Sequence, residues 1–132
     1  MTNNFEAGAH TLGFSHCNFF ANRLYQYNAT TKVDPSLDVH FASTLQAECP
    51  SRGGDVNTVQ ALDPITPFTF DNNYYKSLQL NKGLLASDAA LLTDLRTKNI
   101  VKLFAANQTA FFRSFTSAMI KLGNIGVKQS AS

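Results

Sequence analysis

"NQTAFFRSFTSAMIKLG", residues 107–123, decides the fold class. Phe111, Phe115, Met119 and Leu122 recur every three or four positions, which lines them along one side of an α-helix. Such a stripe packs on a core, and Gly123 stands where a helix from Asn107 to Leu122 would close. Working back along the chain, the same period predicts helices from Thr97 to Ala106, Ser87 to Leu92 and Asn72 to Asn81. Leu37, Phe41 and Leu45 mark another, opened by Asp34-Pro35 and stopped at Cys49-Pro50. Ser15 is placed to cap a helix through Tyr25, with Cys17, Phe20 and Leu24 on one face. "PSRGGD" reads as a loop, and "DPITPFTFDNN", with two prolines, as irregular but ordered. No strand-length alternation and no internal repeat stand out, so the class is all-α.

Composition narrows the function classes. The 132 residues are 44% hydrophobic and 15% charged, as expected of one soluble domain. A net charge of +2 with no basic run argues against nucleic acid as a partner. No apolar segment reaches the ~20 residues of a membrane span. The opening "MTNNFEAG" has neither the basic end nor the apolar run of a secretory signal, so no signal is expected in this chain. Cys17 and Cys49 could be two unrelated buried thiols or a bridge, which the loop-entropy model values at about 3.5 kcal/mol. The sequons at Asn28 and Asn107 lean towards an oxidising, glycosylating route.

Three stretches could carry chemistry. In "AGAHTLGFSHC", residues 7–17, Gly8 and Gly13 interrupt helix and put His10 at a helix end or turn. The default for one such histidine is a surface or satisfied core role. His16 lies six residues on, not the four of a zinc-chelating helical pair, and the cysteines are too isolated for a zinc site. In "LDPITPFTFD", residues 62–71, Asp63, Thr66 and Asp71 are hard oxygen donors that could wrap Ca²⁺, without EF-hand spacing. A proline-rich Asx turn explains the same residues. In "GLLASDAALL", residues 83–92, Ser87 or Asp88 is an N-cap by default. Asp88 could instead accept a hydrogen bond from a metal-bound imidazole.

Taken together, "GAHTLGFSHC", "LDPITPFTFDNNYY", "NKGLLASDAALL" and "FFRSFTSAMIKLGNIGV" resemble, in order and spacing, the C-terminal half of the secretory plant (class III) haem peroxidases. The resemblance runs from Gly8 to about Val127 and implies the proximal half of a two-domain helical haem-peroxidase fold. It divides the chain into a divergent segment 1–7, a partial haem- and calcium-binding domain 8–127 and a polar tail 128–132. It implies that His10 is the axial ligand of haem b iron and that Asp88 hydrogen-bonds the other ring nitrogen. One proximal Ca²⁺ would be held by Thr11, Asp63, Thr66 and Asp71, with Thr69 giving a backbone carbonyl. Cys17 and Cys49 would pair.

The resemblance also implies a function: oxidation of small phenolic donors by hydrogen peroxide, in a protein secreted to the cell exterior or the vacuole. The family's distal histidine and arginine, which work on the peroxide, have no counterpart here. Arg23, Arg52, Arg96 and Arg113 are scattered, and neither His16 nor His40 has a suitable companion. No distal catalytic residue is therefore assigned. The expectation is a proximal half that is weak or inactive as an isolated chain, with the family's distal half as a partner. The alternative is a non-enzymatic helical remnant that binds calcium or a partner protein.

Overall fold

The computed structural model describes residues 8–50 and 58–131, with the backbone alone from residue 125 onward. The divergent segment 1–7, Arg52 and nearly all of the "PSRGGD" loop lie outside the described residues. The elements are β1 (Phe14–His16), α1 (Asn22–Tyr25), α2 (Val39–Glu48), β2 (Val59–Ala61), α3 (Asn73–Gln79), α4 (Ala86–Ala90), α5 (Leu95–Ala106) and α6 (Gln108–Ala131). The chain is mostly helical, as its patterning predicts. Among the described residues no helix is long and apolar enough to cross a membrane.

The first departure from the sequence reading is the two-stranded sheet. Ser15 does not cap a helix; it sits in β1, and a 3₁₀ turn over Cys17–Phe19 precedes the short α1. β1 and β2 pair antiparallel, with Phe14 opposite Ala61 and His16 opposite Val59. Leu62 N–H donates to Gly13 O at 2.9 Å and Cys17 N–H to Thr58 O at 3.2 Å, extending the ladder at both ends. This clip positions the site. It starts just after His10 and Thr11 and ends just before Asp63, so the two chemistry-bearing stretches are laid side by side.

Cys17 and Cys49 form a disulfide with Cα atoms 5.8 Å apart, tying the 3₁₀ turn to the end of α2. Tyr25 reinforces that corner, donating its hydroxyl to Cys49 O at 2.6 Å. α2 begins at Val39, not at Pro35. Asp38 is the cap and accepts from Phe41 N–H, while Asp34 is drawn off into a turn and an ion pair.

Two apolar clusters make the core. Phe20, Leu24, Leu37, Ala42, Leu45, Cys49, Leu62 and Leu84 fill the disulfide end. Tyr74, Tyr75, Leu78, Leu91, Val101, Phe104, Ala105 and Phe111 fill the other, where α3 and α5 meet the first turns of α6. Gly8 lies against those turns: a Cβ there would fall 2.8 Å from Phe115 Cδ2, so only glycine lets the His10 turn dock. The stripe on α6 is therefore core only in part. Phe111 is buried, but Met119, Ile120 and Leu122 are about half exposed, at 48%, 60% and 52%. Gly123 does not end α6, which continues to Ala131; a helix interior tolerates glycine at a cost of ~1 kcal/mol.

The core also holds an ion pair. Arg23, 2% exposed, donates from Nε to Asp34 Oδ2 at 2.9 Å and from Nη1 to the carbonyls of Gly83 and Leu84. Burial alone would raise the Asp34 carboxyl, but hydrogen bonds from Ser36 and Arg23 outweigh it and hold the group below its ordinary 3.8. The native-state value is the lower one, so this contribution is full above the unfolded value and fades as acid approaches the native one. Asp34→Ala leaves the guanidinium buried without a counter-charge. It should cost about 3–5 kcal/mol in urea unfolding at neutral pH. A loss under ~1 kcal/mol would mean that the pair is solvated as surface pairs are.

Candidate functional site

His10 ends a helical turn, with Thr11 N–H, Leu12 N–H and Gly13 N–H donating back to the carbonyls of Gly8, Ala9 and His10. The glycine-bracketed turn read from the sequence is thus present. It presents the imidazole to a carboxylate far away in the chain: His10 Nδ1 lies 2.6 Å from Asp88 Oδ1. The His10 side chain is 23% exposed and that of Asp88 only 1%.

Asp88 does not cap its helix from the N-terminal position. Leu85 occupies that position, and Asp88, in the first turn of α4, folds back to accept Leu85 N–H on Oδ2 at 3.0 Å. Oδ1 is left for side chains. It also accepts the hydroxyl of Tyr74 at 2.5 Å, and the Tyr74 ring meets the His10 ring edge-on, with centroids 5.8 Å apart. Burial first, and then the negative charge of Asp88, push the Tyr74 phenol far above its ordinary value, so it remains a donor. Asp88 accepts at each of these other contacts, which places the His10 proton on Nδ1. The lone pair then lies on Nε2, and among the described residues nothing hydrogen-bonds to it.

The second cluster begins one residue further on. Thr11, fully buried, donates its hydroxyl to Asp71 O at 2.9 Å. Thr66 Oγ1 lies 3.0 Å from Asp63 Oδ2 and 2.9 and 2.8 Å from the two oxygens of Asp71. Asp63, also fully buried, accepts Ile65 N–H and Thr66 N–H on Oδ1, so the Asx turn is real as well. Thr69 belongs to the same loop through its backbone, donating its N–H to Thr66 O at 3.2 Å. Asn73, which the sequence did not single out, donates its side-chain amide to Thr66 Oγ1 at 3.1 Å.

The Thr66 hydroxyl faces three carboxylate oxygens with one proton, and the two of Asp71 also accept from Asn73 N–H at 3.0 Å and the Asn73 amide at 3.3 Å. Among the described residues neither Asp63 nor Asp71 has a cationic side chain as partner. Nor do three or more His, Cys, Asp or Glu side chains gather to hold an ion; the hard donors are two carboxylates supplemented by threonine oxygens. Asp63 is buried and Asp71 partly so, and a buried carboxylate without a counter-charge is costly. Oxygens about 3 Å apart are spaced as ligands 2.3–2.6 Å from a common Ca²⁺ would be.

His16 and His40 are exposed, and neither has a side-chain partner among the described residues. Tyr74 is the site residue that sequence reasoning missed. Its signal was the "NNYY" following Asp71, where a helix starting at Asn73 turns its second residue inward.

A family model described as "Peroxidase" matches residues 5–107, about four-fifths of the chain. The chain belongs to the peroxidase family. Among the curated relatives of this peroxidase chain, Peroxidase 50 of Arabidopsis thaliana is 50% identical over 122 residues, which are 92% of the chain and 37% of the relative. Peroxidase 66 of the same plant is 49% identical over 127 residues, and Peroxidase 15 of Ipomoea batatas 50% over 121. The peroxidase chain thus spans little more than a third of the length of these relatives, which it resembles as a plant peroxidase fragment.

Proposed function

We propose that the chain is the proximal half of a plant haem peroxidase, with His10 holding haem iron through Nε2 and the Asp63–Thr66–Asp71 cluster holding one Ca²⁺. The observation that carries this reading is the 2.6 Å contact of His10 Nδ1 with buried Asp88, which engages that nitrogen and leaves Nε2 without a hydrogen-bond partner among the described residues. Both groups fit the residues present. Bound at His10, haem supplies the iron at which peroxide is reduced. The chain's own part is to orient the imidazole, raise its basicity through Asp88 and keep water from that carboxylate. Thr11 ties His10 to the calcium cluster. Thr69 would add a backbone carbonyl to the hard ligands.

Phenolic donors and hydrogen peroxide are the substrates of this reading, at a secreted or vacuolar location favoured by the disulfide and the exposed sequon residues Asn28 and Asn107. The half-exposed Met119, Ile120 and Leu122 offer apolar surface that a distal half would cover. The sequence has no distal acid–base pair, and such groups contribute about 10²–10⁴-fold each. The chain reconstituted with haem should therefore oxidise a phenol at least ~100-fold more slowly than a relative of full length. Turnover within a few-fold of such a relative would overturn the impairment. Calcium binding without any haem binding would favour the helical calcium-binding remnant instead.

A further inference from the structure

We propose that Tyr74 is a positioning residue of this site: by sharing Asp88 Oδ1 with His10, its hydroxyl limits how strongly the carboxylate draws the Nδ1 proton. It thereby sets how much electron density Nε2 gives away. The consequence for iron rests on His10 being the axial ligand; the sharing itself does not.

The geometry is a competition for one oxygen. His10 Nδ1 reaches Oδ1 at 2.6 Å and the Tyr74 hydroxyl reaches the same atom at 2.5 Å. Leu85 N–H takes Oδ2 at 3.0 Å. Asp88 is 1% exposed, so its charge is spread over these three donors and not over water. Charge-assisted bonds of this length are strong, and density drawn by the phenol is not available to the imidazole.

The placement of Tyr74 gives the competition a direction. Asp71 holds the His10 turn through Thr11, and Tyr74, three residues on and in the first turn of α3, meets the His10 ring edge-on at an interplanar angle of 86°. One short strap therefore grips His10 twice, once through the calcium cluster and once through the oxygen that polarises it. Tyr75 is an internal control. It is equally buried, at 2% exposure, but its hydroxyl has no hydrogen-bond partner among the described residues.

Tyr74→Phe keeps the ring and its edge contact and deletes only the hydroxyl. In the haem-free chain, proton NMR of the His10 Nδ1–H should show the resonance moving further downfield in Tyr74→Phe and unmoved in Tyr75→Phe. Fluorinating the Tyr74 ring strengthens the donor and should move it upfield, a probe that deletes nothing should the phenylalanine variant fold poorly. In the haem-loaded ferrous chain, Tyr74→Phe should raise the iron–histidine stretching frequency and make the reduction potential more negative. A Nδ1–H resonance that neither Tyr74→Phe nor fluorination moves overturns the sharing. A resonance that moves as stated, in a chain whose wild type shows no iron–histidine band, upholds the sharing and overturns the axial-ligand reading alone.

Discussion

His10→Ala should abolish the histidine-ligated haem spectrum, and Asp88→Ala should weaken haem binding by about 10–100-fold while leaving a histidine-ligated spectrum. The two substitutions fail differently because they remove different things. Alanine at position 10 deletes the only imidazole of the described chain that is both partly exposed and locked by a buried carboxylate. His16 and His40 are exposed and unoriented, so neither takes its place without paying the entropy of fixing a free side chain. Alanine at position 88 spares the ligand but frees its ring to rotate and lowers its basicity. It also leaves the Tyr74 hydroxyl and Leu85 N–H without an acceptor, at about 1–3 kcal/mol of stability for each buried group. Optical titration with haem, run beside urea unfolding, separates the two effects. Added imidazole should restore the spectrum of His10→Ala by filling the space of the deleted ring. An unchanged spectrum in His10→Ala would remove the axial assignment altogether.

The helices were legible because a 3.6-residue period needs only neighbouring residues to show itself. Phe111 and Phe115, or Phe41 and Leu45, announce a face without reference to the rest of the chain. β1 and β2 were not legible. Three residues are too few to display alternation, and what makes them strands is each other, across more than forty positions. Ser15 carried a helix-cap signal that the tertiary pairing overrode. The ion pair of Arg23 with Asp34 escaped for a related reason: α1 is so short that its residues show no period, and nothing local marks the arginine as buried. The site divides in the same way. The turn at His10 and the Asx turn at Asp63 follow from glycine and proline chemistry within each stretch. The meeting of His10 with Asp88, 78 positions apart, does not: the residues left Asp88 open between a cap and an imidazole partner, and family resemblance chose His10. Even that left out Tyr74, whose tyrosine-rich helix start reads equally well as ordinary core.

Calcium should raise the melting temperature of the metal-free chain by about 10 °C at a hundredfold excess over its dissociation constant, where linkage supplies about 2.7 kcal/mol. Asp63→Asn should erase that response. Its behaviour without metal is the sharper signature. In the wild type, the carboxylates of Asp63 and Asp71 face each other across Thr66 Oγ1 and repel; backbone N–H groups and the Asn73 amide donate to them, but no cationic side chain among the described residues balances their charge. Deleting one negative charge removes that repulsion, so metal-free Asp63→Asn should match or exceed metal-free wild type, and the order should reverse once calcium is added. A purely structural Asx turn predicts no such reversal, because asparagine keeps the acceptor that Ile65 N–H and Thr66 N–H use. The reversal should also reach haem. Thr11, adjacent to His10, is bonded to Asp71 O, so an ion that draws Asp71 inward moves the turn that carries the imidazole. Calcium then changes haem affinity, and haem must change calcium affinity by the same factor. Haem titrations with and without a chelator, matched by calcium titrations with and without haem, measure the two arms. Equal factors above one support the coupling through Thr11. A factor of one in both arms, with the thermal response intact, would show two sites that share a loop without sharing energy.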